Sequence, residues 1–183
     1  GSDGTMWFGM LGGGLGRLQN GNVKQFLRKD GLPNDYVQCL NLDDDGALWL
    51  GTYGGGLIRF KNGKFVKITT AQGLPNNFIC ALEADDGGNF WISSHAGVFR
   101  AGKSALNNCA DGLTNSVACL AYGKGDGMAS IECSGGLQPA SARTADGRIL
   151  FPTSKGVVVI NPDSIKISHL PPPVVIESVT ANG

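Results

Sequence analysis

Eight consecutive residues, Gly97-Val98-Phe99-Arg100-Ala101-Gly102-Lys103-Ser104, spell the phosphate-cradle pattern G-x-x-x-x-G-K-[ST]. A working cradle needs a strand before it, a helix after it, and a loop backbone free to wrap phosphate oxygens. Two runs of acids, Asp43-Asp44-Asp45 and Asp85-Asp86, resemble paired carboxylates for acid–base work or Ca²⁺ binding. His95 is one of two histidines, too few for a His-based metal cluster or a Ser/His/Asp triad. The five cysteines, Cys39, Cys80, Cys109, Cys119 and Cys133, contain no CxxC, and an odd number cannot all pair internally. Three tryptophans, Trp7, Trp49 and Trp91, have the flat faces on which a sugar ring stacks.

The elements that position these residues come from an internal repeat. Asp3-Gly4-Thr5-Met6-Trp7-Phe8-Gly9 returns as Asp45-Gly46-Ala47-Leu48-Trp49-Leu50-Gly51, then as Gly87-Gly88-Asn89-Phe90-Trp91-Ile92-Ser93. The tryptophans are 42 residues apart both times, and a fourth copy, Asp146 to Pro152, carries Leu150 in place of Trp. Gly12-Gly13-Gly14 returns as Gly54-Gly55-Gly56 and shrinks to Gly97 and Gly156, while Arg17, Arg59 and Arg100 follow at matching offsets. Gly31-Leu32-Pro33-Asn34 returns as Gly73-Leu74-Pro75-Asn76. A period of about 40–45 residues holding several short strands is the signature of a propeller blade. Each unit reads as four strands: an inner one at Tyr36 to Leu42, then Leu48 to Thr52, Leu57 to Phe60 and Phe65 to Thr69, with Asn62-Gly63 as a hairpin turn.

The expected fold is therefore all-β, a partial β-propeller of about three and a half four-stranded antiparallel blades over residues 1–170. The first blade, 3–29, starts at its second strand; the others span 30–71, 72–125 and 126–170. The third is enlarged after Arg100, with room for one helical turn at Ser104 to Asn108.

Composition excludes several function classes. The 183 residues carry 15 basic and 15 acidic side chains without a Lys/Arg cluster, so no electrostatic footprint for nucleic acid or an anionic membrane is present. The 29 glycines beside 42% hydrophobic residues fit many tight turns around a real core. No apolar run approaches the roughly 20 residues of a membrane span. The chain enters a repeat within its first residues, so any targeting segment is expected upstream of Gly1.

Placed on the repeat, the chemical motifs separate. The phosphate-cradle letters fall on a third strand, Gly97 matching Gly56 and Arg100 matching Arg59, so a strand and a turn are expected there. The tryptophans hold one fixed strand position and are expected to pack between blades. The acids sit in Asp-Gly turns, which prefer Asp. Loops joining strands two and three share one propeller face with the crossovers between blades. Tyr53, His95 and Lys155 are expected to line that face, with Asn34, Asp35, Asn76 and Asn77 nearby, as the ligand-binding candidates. No catalytic residue, cofactor or metal site is expected.

The combination DG-x-[LM]-W-[FL]-G, GGGL-x-R and GLPN resembles the two-component regulator propeller repeat of bacterial sensor proteins. Tyr122 to Met128, Glu132 to Gly136 and Phe151 to Pro162 resemble that family's final blade. Pro171-Pro172-Pro173-Val174-Val175-Ile176-Glu177-Ser178-Val179 resembles the start, over 171–183, of the three-tyrosine immunoglobulin-like domain that follows it. The resemblance implies a periplasmic sensory propeller of a membrane-anchored regulator, whose output module, commonly a histidine kinase, lies outside these residues. It leaves the ligand open between an unknown small molecule and an oligosaccharide, with self-association as a further partner. Two alternatives stay open: a structural or dimerisation scaffold without a ligand, and a propeller lyase.

Overall fold

The computed structural model describes Gly1 and residues 3–165. The expected start of an immunoglobulin-like domain at 171–183 lies outside the described residues. Fourteen strands and one α-helix follow one another as β1 (Met6–Met10), β2 (Gly14–Gln19), β3 (Asn22–Phe26), β4 (Val37–Leu42), β5 (Leu48–Thr52), β6 (Leu57–Lys61), β7 (Lys64–Ile68), β8 (Ile79–Ala84), β9 (Asn89–Ser94), β10 (Gly97–Gly102), α1 (Lys103–Ala110), β11 (Cys119–Tyr122), β12 (Ala142–Arg143), β13 (Ile149–Thr153) and β14 (Gly156–Ile160). They form four antiparallel sheets of consecutive strands: β1-β2-β3, β4 to β7, β8 to β11, and β12-β13-β14. The arrangement is that of a partial propeller.

Each sheet is a meander because its turns are short. Asn62 (φ 51°) and Gly63 (φ 76°) make the tight turn between β6 and β7, where both central residues need positive φ. Gly56 has φ 77°, and a Cβ there would lie 2.3 Å from the Ile68 carbonyl oxygen, so only glycine lets β6 begin beside the end of β7. The Gly56 N–H donates to Asn77 O at 2.9 Å, and Gly14 N–H to Asp35 O at 2.8 Å, tying each blade to the crossover that leaves it.

Alternation along the strands decides which blade each side chain meets. In β5, Leu48 and Leu50 face the preceding sheet, while Trp49 faces the next and meets Phe90 edge-on at 5.7 Å. In β9, Phe90 and Ile92 point back and Trp91 points forward to Ile149 and Phe151. Trp49 and Trp91 are fully buried; Trp7, between β1 and the second sheet, is only half-buried. β4 and β8 each carry a bulge at the same repeat position, between Val37 and Cys39 and between Ile79 and Ala81. Among the described residues nothing pairs with the inner edge of β1, where β4 and β8 cover their own second strands.

Where one helical turn was expected, α1 runs for eight residues. Leu106 and Ala110 go into the core shared by the second and third sheets, which extends the helix. Its far end is held by Arg59, buried at 5% exposure, which donates to Asn107 Oδ1 at 2.7 Å and pairs with Asp111. At its start, Lys103 Nζ pairs with Asp43 at 2.7 Å and lies 5.0 Å over the Phe90 ring. Both contacts span the junction of the second and third blades.

Two outcomes are expected in urea unfolding. Trp49→Ala should lose about 3–5 kcal/mol, as large aromatic deletions in sealed cores do, and Trp7→Ala clearly less. The Arg59 hydrogen bond holds the Asp111 carboxyl below its ordinary 3.8. The resulting stabilisation is complete above that value and lost as pH falls through the lower folded one. Asp111→Asn should flatten this acid limb and lower stability at neutral pH.

Candidate functional site

The crossover face is built by two kinds of residue brought in from neighbouring blades. Leu11 and Tyr53 leave the second strand of one blade and form isolated bridges to Tyr36 and Phe78, which open the inner strand of the next. The Tyr53 N–H donates to Tyr36 O at 2.9 Å. A Cβ on Gly54 would lie 3.4 Å from the Phe78 ring, and one on Gly12 would lie 3.6 Å from Tyr36, so the glycine loops leave room for these rings.

The rings form a continuous row. Tyr53 meets Phe78 edge-on with centroids 4.8 Å apart, and His95 stacks on Phe78 at 5.2 Å with planes 9° apart. Tyr53 and His95 are themselves 5.9 Å apart. Tyr36 and Tyr53 are half-exposed, at 50% and 51%, and Leu11 continues the apolar surface beside Tyr36 at 57%. Leu11 also lines a cavity of about 470 Å³ between the inner strands, together with Trp7, Gln38, Glu83, Gln138 and Ser141. In that cavity Ser141 donates to Glu83 at 2.6 Å, and Gln138 donates to Gln38 O at 3.3 Å.

Of the residues picked out by sequence, Tyr53 and His95 come together through Phe78. Asn34 and Asn76 lie beneath the row as turn formers: Asn34 Oδ1 accepts from Tyr36 N and Asn76 Oδ1 from Phe78 N, both at 2.7 Å. Asn34 is buried, and its Nδ2 donates to Tyr53 O at 3.3 Å, so its polar atoms are occupied. Asp35 and Asn77 accept from Arg28 N and Thr70 N and brace the crossovers. Lys155 is exposed in the β13–β14 turn of the fourth sheet and makes no contact with these rings. The sequence pattern places Tyr36 only at the start of an inner strand and does not single out Phe78. Their matching place after Gly31-Leu32-Pro33-Asn34 and Gly73-Leu74-Pro75-Asn76 was the signal that could have marked them.

The other candidate chemistry is absorbed by structure. Residues 97–102 are strand β10, with Val98 and Phe99 buried, and Lys103 is engaged by Asp43, so the phosphate-cradle letters form no loop. Asp85 accepts from Trp91 Nε1 at 2.9 Å and from Asn89 N at 2.8 Å. Asp45 pairs with Lys61 at 2.6 Å, and that hydrogen bond lowers its pKa. Asp86 pairs with Arg143. Burial pushes Cys39 and Cys80 up to about 12 and Cys119 to about 11, so these thiols stay protonated at neutral pH. Among the described residues no group of three His, Cys, Asp or Glu side chains could hold a metal, and no helix is long and apolar enough to cross a membrane.

Comparison with known proteins agrees with the propeller fold. Residues 31–54 match the family model described as two component regulator propeller. No curated protein shows a significant match. The extracellular domain of the hybrid two component system BT3049 from B. thetaiotaomicron superposes with a TM-score of 0.71 at 24% identity, over 88% of this chain and 21% of that one. The corresponding domain of BT4673 from the same organism gives 0.71 at 18% identity, over 91% and 23%. Virginiamycin B lyase from Staphylococcus aureus gives 0.56 at 15% identity, over 89% and 55%. At these identities the likeness is one of fold, and the chain spans about a fifth of the length of the two extracellular domains.

Replacing Tyr53 by Ala should leave the fold intact, because half its surface faces water, while exposing Phe78 and loosening His95. Near-ultraviolet circular dichroism should change and the far-ultraviolet spectrum should not.

Proposed function

We propose that this chain, whose repeat is that of the two component regulator propeller, is the sensory part of a bacterial signalling regulator and takes a ligand on its crossover face. The observation that carries this reading is the aromatic row of Tyr53, Phe78 and His95, with Tyr36 half-exposed beside Leu11 on the same face, held by glycine loops and Asn turns on the blade scaffold. Flat faces bordered by a phenol hydroxyl and an imidazole suit a ligand that stacks and hydrogen-bonds at once, such as a sugar ring of an oligosaccharide or a planar small metabolite. The similar solved domains are extracellular, which supports an extracytoplasmic, periplasmic location for this one. A role without catalysis is supported by the turn and ion-pair engagements of the carboxylates that resembled paired acids.

The test is a thermal-shift screen of the chain against oligosaccharides and small metabolites. A compound present at one hundred times its Kd should stabilise by about 2.7 kcal/mol. For a chain of this size that is a rise in Tm of about 5–10 °C. Tyr53→Ala should abolish the shift. A Tm that no compound moves, or a shift that survives Tyr53→Ala unchanged, sinks the reading.

A further inference from the structure

Glu132 holds the third place in a series of which the sequence pattern shows only two members. Tyr36 and Phe78 each open an inner strand two residues after the Asn of Gly31-Leu32-Pro33-Asn34 and of Gly73-Leu74-Pro75-Asn76. In the fourth blade Gly127-Met128-Ala129-Ser130 takes that place. Gly31, Gly73 and Gly127 have positive φ (91°, 99° and 94°), each ending a short 3₁₀ turn. Asn34 and Asn76 accept from the N–H two residues on, and Ser130 Oγ accepts in the same way from Glu132 N at 3.2 Å. The Ser154 N–H donates to Glu132 O at 3.0 Å, as the Tyr53 N–H does to Tyr36 O.

The same register sets His95 across from Glu132. Leu11 bridges to Tyr36 and Tyr53 to Phe78; His95 is the next member of the first series and Glu132 the next of the second. The Cys133 N–H donates to Ser94 O at 3.2 Å, joining the residues beside them. The rings of Tyr53, Phe78 and His95 therefore run up to a carboxylate. Glu132 and His95 are both exposed. Among the described residues the Glu132 carboxylate has no hydrogen-bond or ion-pair partner, Lys155 beside Ser154 included. Asp43, Asp45 and Asp86, by contrast, are each paired with a lysine or an arginine.

We propose, resting on the ligand reading of the crossover face, that Glu132 is the charged end of that site and selects ligands carrying an ammonium group beside a flat or apolar body. The body lies on the half-exposed Tyr53 ring, and the cation lies between the rings and the carboxylate. An aromatic face attracts a cation through its quadrupole, and an unpaired carboxylate attracts it by charge. At an exposed site the two together favour an amine over a neutral compound of the same shape by about five- to tenfold. The same carboxylate repels an anion. Salt screens the preference, so it should shrink as ionic strength rises.

The probes are phenethylamine, a cation at neutral pH, neutral phenethyl alcohol and anionic hydrocinnamate, each titrated into the whole chain and followed by amide chemical shifts. Phenethylamine should bind about five- to tenfold tighter than the alcohol, and hydrocinnamate weakest. Glu132→Gln changes an exposed side chain to one of the same shape, so it should fold, as checked by circular dichroism, and should bring the three affinities together. Tyr53→Ala should weaken all three. Equal binding of amine and alcohol, a preference that survives Glu132→Gln, or binding of none of the probes overturns the proposal. Where the alcohol binds as well as the amine and Tyr53→Ala weakens both, the role of Glu132 falls and the ligand reading stands. Binding that Tyr53→Ala leaves unchanged overturns both.

Discussion

A large flat side chain from one sheet, laid against the backbone and aromatic rings of the next, is the contact on which the rest of the structure depends. Trp49 against Phe90, and Trp91 against Ile149 and Phe151, are sealed from water and sit at one strand position in successive repeats. A single four-stranded sheet of five-residue strands cannot bury either face alone, so the sheets are stable only as a stack. The layout of the crossover face follows from that stacking, because it fixes the spacing at which successive crossovers present their side chains.

The aromatic row shows how the constraint is used. Tyr53 and Phe78 belong to different blades, and His95 to the far end of the second of them. Their rings meet because the Gly14 and Gly56 amides tether each blade to the following crossover, and because Asn34 and Asn76 turn the chain under the rings. A shift of one blade by a single residue would separate them. The meeting of the rings is thus set by the packing of whole blades and not by either loop alone.

The third blade departs from its neighbours in a way that reinforces the same junction. Its insertion folds as α1, and the helix is clamped at one end by Lys103 on Asp43 and at the other by Arg59 on Asn107 and Asp111. The buried guanidinium of Arg59 would be costly without those partners. In the fourth sheet, by contrast, Leu150 and the Val159 opposite it stand where the other sheets carry a tryptophan and an arginine.

Much was legible in the sequence because it is periodic. The 42-residue spacing of Trp7, Trp49 and Trp91, the period-two alternation around them and the Asn-Gly and Asp-Gly turns determined strands, turns and which residues face forward. The same register dissolved the phosphate-cradle motif into β10. What only the tertiary structure decided are meetings between residues far apart in the chain: Tyr53 with Phe78 and His95, Arg59 with Asp111, Lys103 with Asp43. Local pattern specifies which face of a strand a side chain takes. It does not specify which distant loop lies across from it, since that depends on the twist and offset of whole sheets packed through their cores. Lys155 sits one residue past the register of Tyr53 and His95, which falls on Ser154, and it stands apart from the rings those two bring together.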